Sequence, residues 1–209
     1  MEEVLDLYTQ PYDSRFPVVC FDESPYQLVG EVRQPQALRP GTAQRYDYQY
    51  RRNGTCNLFM FFEPRTGWRH VEVTNRRTKQ DFARCMQMLV DGYYPESEVI
   101  RVVMDNLNTH TPASLYETFL PVEAHRILHR LEFHYTPKHG SWLNMVESEL
   151  SVLANQCLAR RLADPYTVQQ EIAGWERQRD DTKATVHWRF TTDKARTKLQ
   201  RLYPSQSMR

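Results

Sequence analysis

Residues 99–106, VIRVVMDN, constrain this chain more than any other stretch. Five apolar residues (Val99, Ile100, Val102, Val103, Met104), interrupted only by Arg101, end abruptly on a carboxylate and an amide. A near-continuous apolar run of this length suits a strand covered on both faces, where the alternation of a half-solvated strand fades. The run therefore predicts a buried strand that delivers Asp105 to its mouth, the place where α/β sheets put their chemistry. A second run of the same design, PVVCFDES at 17–24, ends on Asp22 and Glu23. Laid side by side, the two strands bring Asp22 and Asp105 to one edge, and the question becomes which third carboxylate joins them.

The intervening chain supplies the rest of a sheet. Tyr46, Tyr48 and Tyr50 alternate with Arg45, Asp47, Gln49 and Arg51, a period-two strand with one aromatic face that reads as packed. Asn53-Gly54 offers the left-handed residues of a tight hairpin, after which 55–63 returns as its partner and 68–74 adds a further antiparallel strand. Thr78 with Asp81 forms a capping-box pattern ahead of Phe82, Cys85, Met86, Leu89 and Val90 at helical spacing, with Gly92 as the stop.

Beyond the 99–106 strand, prolines at first-turn positions predict short helices over 112–119 and 121–130, followed by a strand over 131–135. Leu143, Val146, Leu150, Leu153 and Cys157 step by three and four, predicting an amphipathic helix from Leu143. Asp164-Pro165 opens another helix to about Arg179, and Thr192 caps a last basic one. The order β-β-β-α-β-α-β-α, antiparallel first and then joined by crossovers, predicts an α/β fold with a mixed sheet flanked by helices.

With 27 basic and 26 acidic residues the net charge is +1, so the field of the whole chain does not concentrate it on polyanions, and any such binding must come from local clusters. The four cysteines (Cys20, Cys56, Cys85, Cys157) lack a CxxC pair and read as reduced core thiols. No apolar run reaches membrane-spanning length, and residues 1–10 lack a signal-peptide pattern, so a cytoplasmic protein with no membrane partner is expected.

Three acids from two strand ends and a helix make an oxygen-ligand site of the kind Mg²⁺ prefers, and a pair of such ions could drive phosphodiester chemistry. The helix after Leu143 offers Glu147, about 70° to one side of the apolar stripe, and Glu149, about 90° to the other. Periodicity prefers Glu147 only slightly and leaves Glu149 in reserve.

The segments FDES at 21–24, MDNLNTH at 104–110 and HYTPKHGSWLNMVESEL at 134–150 resemble the three acidic motifs of bacterial insertion-sequence transposases related to the mariner group, DDE superfamily endonucleases. The resemblance extends to the closing WRFTTDKARTKLQRLYP and implies a ribonuclease-H-like five-stranded sheet over 17–162, preceded by a lead over 1–16 and followed by a C-terminal helical extension over 163–209. It implies Asp22, Asp105 and Glu147 as a catalytic triad holding two Mg²⁺ ions, which Mn²⁺ can replace, the glutamate being the one directly after Leu-Asn-x-x. It also implies DNA partners, namely transposon ends and target, a homodimer in the active complex, and a bacterial, nucleoid-associated setting. The reaction implied is cleavage at transposon ends followed by strand transfer.

Two features depart from the family pattern. Family members carry an N-terminal helix-turn-helix module, for which a first catalytic strand at Pro17 leaves no room, so a catalytic domain alone is expected. The 41 residues between Asp105 and Glu147 exceed the family's usual spacing, through a long 111–130 segment. Alternatives are a plain nuclease of the same fold and a non-enzymatic transposase remnant.

Asn106 and His110 are expected to steady the Asp105 carboxylate or touch the scissile strand. Lys138 and His139, in the loop ahead of the Glu147 helix, are the expected phosphate contacts, with Trp142 placed to stack on a base or to anchor that loop. His125 and His129 sit four apart but have no third ligand in sequence, and read as solvated.

Overall fold

The computed structural model describes residues 1–33, 40–41 and 48–203. Five strands, β1 (Val18–Glu31), β2 (Tyr50–Glu63), β3 (Trp68–Thr74), β4 (Ile100–Met104) and β5 (Leu131–Tyr135), form one mixed sheet in the order β3-β2-β1-β4-β5. The β1-β2-β3 part is antiparallel, whereas β4 runs parallel to both β1 and β5. Among the described residues, seven α-helices surround it: α1 (Glu2–Thr9), α2 (Lys79–Met88), α3 (Pro112–Thr118), α4 (Pro121–Leu128), α5 (Val146–Gln156), α6 (Pro165–Asp181) and α7 (Thr192–Lys198). The mixed five-stranded sheet flanked by helices is the expected architecture.

Strand alternation divides the core between the two faces of the sheet. Cys20, Met60, Phe62 and Val103 face α1, α5 and α6, where they pack with Leu5, Val146, Leu153 and Trp175. Val19, Phe21, Phe59, Val102 and Met104 face α2 and α4 and pack with Phe82, Met86 and Ile127. The continuous apolar character of β1 and β4 therefore reflects burial on both sides. All four cysteines are buried as free thiols.

Several sequence expectations are corrected. Asn53-Gly54 does not turn a hairpin, because it lies inside β2, and β1 runs on to Glu31 to pair with Tyr50. The pairing passes from Gln27↔Thr55 to Val29↔Arg52, so the dipeptide forms an irregularity opposite Leu28. Gly54 there takes φ +99°, and Asn53 Nδ2 donates to the Ala163 carbonyl at 2.8 Å. The same left-handed preference that suits a two-residue turn serves a bulge in a long ribbon equally well.

Of the tyrosine face expected to be packed, Tyr48 and Tyr50 are exposed, and Tyr46 lies outside the described residues. Thr78 and Asp81 do form the capping box of α2, but Gly92 does not end the helix, which continues as a π turn over Leu89–Tyr93. The polar lead contains α1, whose Val4, Leu5, Leu7 and Tyr8 are buried. The cap of α7 is Thr191, whose hydroxyl accepts from the Lys194 N–H, not Thr192. Helices α6 and α7 contribute Val168, Ile172, Trp175 and Ala195 to the same core as β1.

Candidate active site

The last described pair of the β1-β4 ladder is Cys20↔Val103, and Asp22 and Asp105 each follow two residues later. A step of two keeps a side chain on one face, so both carboxylates belong to the face covered by α5. That helix starts at Val146, not Leu143, because Ser141–Leu143 form a 3₁₀ turn and Asn144 leaves the helical path. Asn144 is buried and its Nδ2 donates to the Phe21 carbonyl at 2.9 Å, tying the start of α5 to the residue before Asp22. Leu143 supports the same junction from the core, its carbonyl accepting from the Tyr8 hydroxyl at 2.8 Å. Glu147, in the first turn of α5, then lines one open cleft with Asp22, Asp105 and Ser24.

Crowded carboxylates leave a mark on this cleft. Burial pushes the Asp22 carboxyl up to about 7 against the hydrogen bond it accepts from the Glu23 N–H at 2.8 Å, and the charges of Glu23, Asp105 and Glu147 push the same way. Like charges brought together in a solvent-reachable cleft are relieved by a cation, and three carboxylates form the all-oxygen donor set of a hard divalent ion. Among the described residues no three side chains are already drawn in as a closed metal cage, so the carboxylates line the cleft without preassembling around one point.

His110 is fully buried beside Asp105. Its Nδ1 lies 2.7 Å from Asp105 Oδ1, while Nε2 lies 2.8 Å from Glu23 Oε2 but off the axis of a good hydrogen bond. Phe82 stacks on the ring at 4.9 Å between centroids and Phe21 meets it edge-on at 5.5 Å. Burial alone would lower the imidazole pKa, but Asp105 and Glu23 outweigh it and raise it to about 9. Glu23 is the residue the sequence reading passed over. Its signal was the unbroken Asp-Glu pair, which sends successive acids to opposite faces; the pair ends the apolar run but not the strand, because β1 continues to Glu31 in its pairing with β2.

The remaining expected site residues lie at or around the start of α5 and the end of β4. Glu149 is buried and turned from the cleft, held by Arg179 and Arg69. Asn106, next in sequence to Asp105, is exposed, and Lys138 and His139 are exposed in the loop before α5, with His139 at φ +62°. Trp142 is half-exposed and stacks on Trp188 at 6.3 Å, with Phe190 edge-on at 5.6 Å, so it anchors its loop on the 182–190 segment. His125 and His129 stack with centroids 6.0 Å apart.

The fold is shared with solved structures of a mariner transposase. The Mos1 mariner paired end complex with Mn matches with a TM-score of 0.60 at 16% identity, over 88% of this chain and 54% of that one. The mariner Mos1 paired end complex with Mg gives 0.53 at 16% identity, over 86% and 53%. A pre-cleavage Mos1 transpososome gives 0.50 at 13% identity, over 88% and 59%. The chain thus spans about half the length of the Mos1 chains, and at these identities the likeness is one of fold, the ribonuclease-H-like sheet. No curated protein sequence matches it. Residues 17–169 match the family described as DDE superfamily endonuclease, a span that holds Asp22, Asp105 and Glu147. The chain belongs to the DDE superfamily endonuclease family.

Proposed function

We propose that this chain is the catalytic portion of a bacterial insertion-sequence transposase related to the mariner group, cutting DNA at transposon ends and joining them to target DNA. The observation that carries this reading is the convergence of Asp22, Asp105 and Glu147, from β1, β4 and α5, on one open cleft of a DDE-family fold. These three carboxylates would hold two Mg²⁺ ions, with Mn²⁺ as a substitute, the ions supplying charge stabilisation to the attacking and leaving oxygens of a phosphodiester.

The chain's own residues position that chemistry. Asn144 ties the start of α5 to β1, which sets Glu147 against Asp22. His110 orients Asp105 through the 2.7 Å contact to Oδ1. Asn106 stands exposed beside it, available to the scissile strand. Lys138 supplies local positive charge, and His139 a ring N–H, for phosphates ahead of α5, needed because the overall charge of +1 steers little. Residues 17–162 form the catalytic unit in this reading, with 163–209 as a packed helical extension.

The partners proposed are transposon-end and target DNA, handled by a homodimer, in line with neighbours that are paired-end complexes. The setting proposed is the nucleoid-associated cytoplasm. No helix among the described residues is long and apolar enough to cross a membrane.

The test is incubation of the full chain with supercoiled plasmid and with terminal-repeat DNA in Mg²⁺ or Mn²⁺. Nicking that disappears in Asp105→Asn and Glu147→Gln, together with covalently joined products, is the expected result. Free ends without joined products would reassign the chain as a plain nuclease of the family.

A further inference from the structure

We propose that Glu23 and Arg77 are positioning residues for Asp105, acting through the His110 ring and fixing which carboxylate oxygen the cleft receives. This inference rests on the reading of Asp105 as a metal ligand. The two acids that end the apolar run of β1 divide their work by parity: Asp22 continues the face of Val18 and Cys20, and Glu23 continues the face of Val19 and Phe21.

A carboxylate buried to 1% exposure is costly unless it is paired, and Glu23 has two partners. His110 Nε2 is 2.8 Å from one oxygen, and Arg77 Nη1 donates to the other at 3.2 Å. The ring they hold cannot swing, since Phe82 and Phe21 enclose it. Its backbone is pinned as well, because the His110 carbonyl accepts from the Tyr135 hydroxyl at 3.0 Å and its N–H donates to the Leu107 carbonyl at 3.0 Å.

At the far side of the ring, Nδ1 takes Asp105 Oδ1 at 2.7 Å. The terminal torsion of an aspartate is broad and nearly two-fold, so an untethered carboxylate presents either oxygen in many orientations. With Oδ1 engaged from below, Oδ2 is the oxygen left for the cleft. The line Arg77, Glu23, His110, Asp105 thereby joins the loop before α2 to the middle of β1 and the mouth of β4.

The test is a Mn²⁺ titration of the full chain, read by electron paramagnetic resonance of the free ion, with a thermal melt of each variant. Partners one step beyond metal ligands are worth about 10-fold to 100-fold in metal affinity. Glu23→Leu and His110→Leu are each expected to weaken Mn²⁺ binding by about that factor while still melting cooperatively. Because Glu23 acts through His110, the double variant should lose no more than His110→Leu alone.

Arg77 is half-exposed, so Arg77→Gln is expected to fold and to weaken binding in the same direction by several-fold, and it decides the matter if the leucine variants do not fold. Wild-type affinity in Glu23→Leu or in Arg77→Gln, or losses that multiply in the double variant, would overturn the proposal. Asp105→Asn separates the two readings: unchanged Mn²⁺ affinity in that variant removes the metal site itself, whereas a loss there with no effect at Glu23 removes only the positioning line.

Discussion

Arg179 on α6 grips Glu149 on α5 with two hydrogen bonds, Nε to Oε1 at 3.0 Å and Nη2 to Oε2 at 2.9 Å, and this grip separates the two glutamates of the helix. Arg69 Nε lies 3.0 Å from the same carboxylate in full burial, with its guanidinium over the Phe62 and Trp175 rings. Glu149 is thereby committed to the junction of β3, α5 and α6, leaving Glu147 to face the cleft.

Glu147 and Glu149 should therefore respond to substitution in opposite ways. Glu147→Gln is expected to fold as the wild type and lose plasmid nicking by about 100-fold or more, the scale of removing one electrostatic stabiliser. Glu149→Gln leaves two arginines without their buried counter-charge and is expected to lower unfolding free energy by about 3 kcal/mol, while nicking per folded molecule persists. Urea titration beside the nicking assay checks both, and loss of nicking in a fully folded Glu149→Gln protein would reverse the assignment.

Asn144 links stability to site geometry. Asn144→Ala leaves the buried Phe21 carbonyl without its side-chain donor and is expected to cost about 1 to 3 kcal/mol. Since that bond ties the start of α5 to β1, the cost should come with weaker Mn²⁺ binding, measured by the same titration. A purely structural bond would lower the melting temperature and leave the ion's affinity alone.

Crowding at Asp22 predicts a trade of stability for function. Its folded pKa of about 7, raised first by burial and then by the neighbouring carboxylates, stands above the unfolded value, so the cost of ionising it in the folded chain grows as pH rises from about 4 towards 7 and is fully present above that. Mg²⁺ is expected to raise the melting temperature of the wild type; Asp22→Asn is expected to melt no lower than the wild type at pH 8 without divalent ions, and to lose that rise. Chelation of the wild type should abolish both that rise and nicking.

His70 on β3 predicts a separate pH effect. It lies 3.5 Å from both Glu72 and Glu176, and although burial alone would lower its pKa, the two carboxylates raise it to about 9. The raised value means that its contribution is fully present below about pH 6.5 and is lost as pH rises through about 9. His110 titrates in the same range, so the measurement is a difference: the gap in denaturation midpoint between wild type and His70→Gln should shrink from pH 6 to pH 9.5.

Much of this was legible in the chain because short-range physics wrote it there. The two apolar runs ending on Asp22 and Asp105 are neighbouring parallel strands, since residues without polar alternation have nowhere to go but the middle of a sheet. The capping box at Thr78 and the prolines opening α3, α4 and α6 are local hydrogen-bond and dihedral effects that hold in any context.

Other features depended on what came to lie opposite. Asn53-Gly54 has the same dihedral preferences in a hairpin and in a bulge, and only the length of β1 beside it selected the bulge. Glu147 and Glu149 were nearly equivalent on a helical wheel, and only Arg69 and Arg179, far away in sequence, drew one inward. By itself the sequence determined the apolar strand cores that lead to Asp22 and Asp105, the capped start of α2 and the proline-led starts of α3, α4 and α6, because each follows from residues within a few positions of one another. Tertiary structure alone decided the bulge, the face of α5 and the Glu23–His110 contact, because burial and charge pairing are set by partners that meet only in the folded chain.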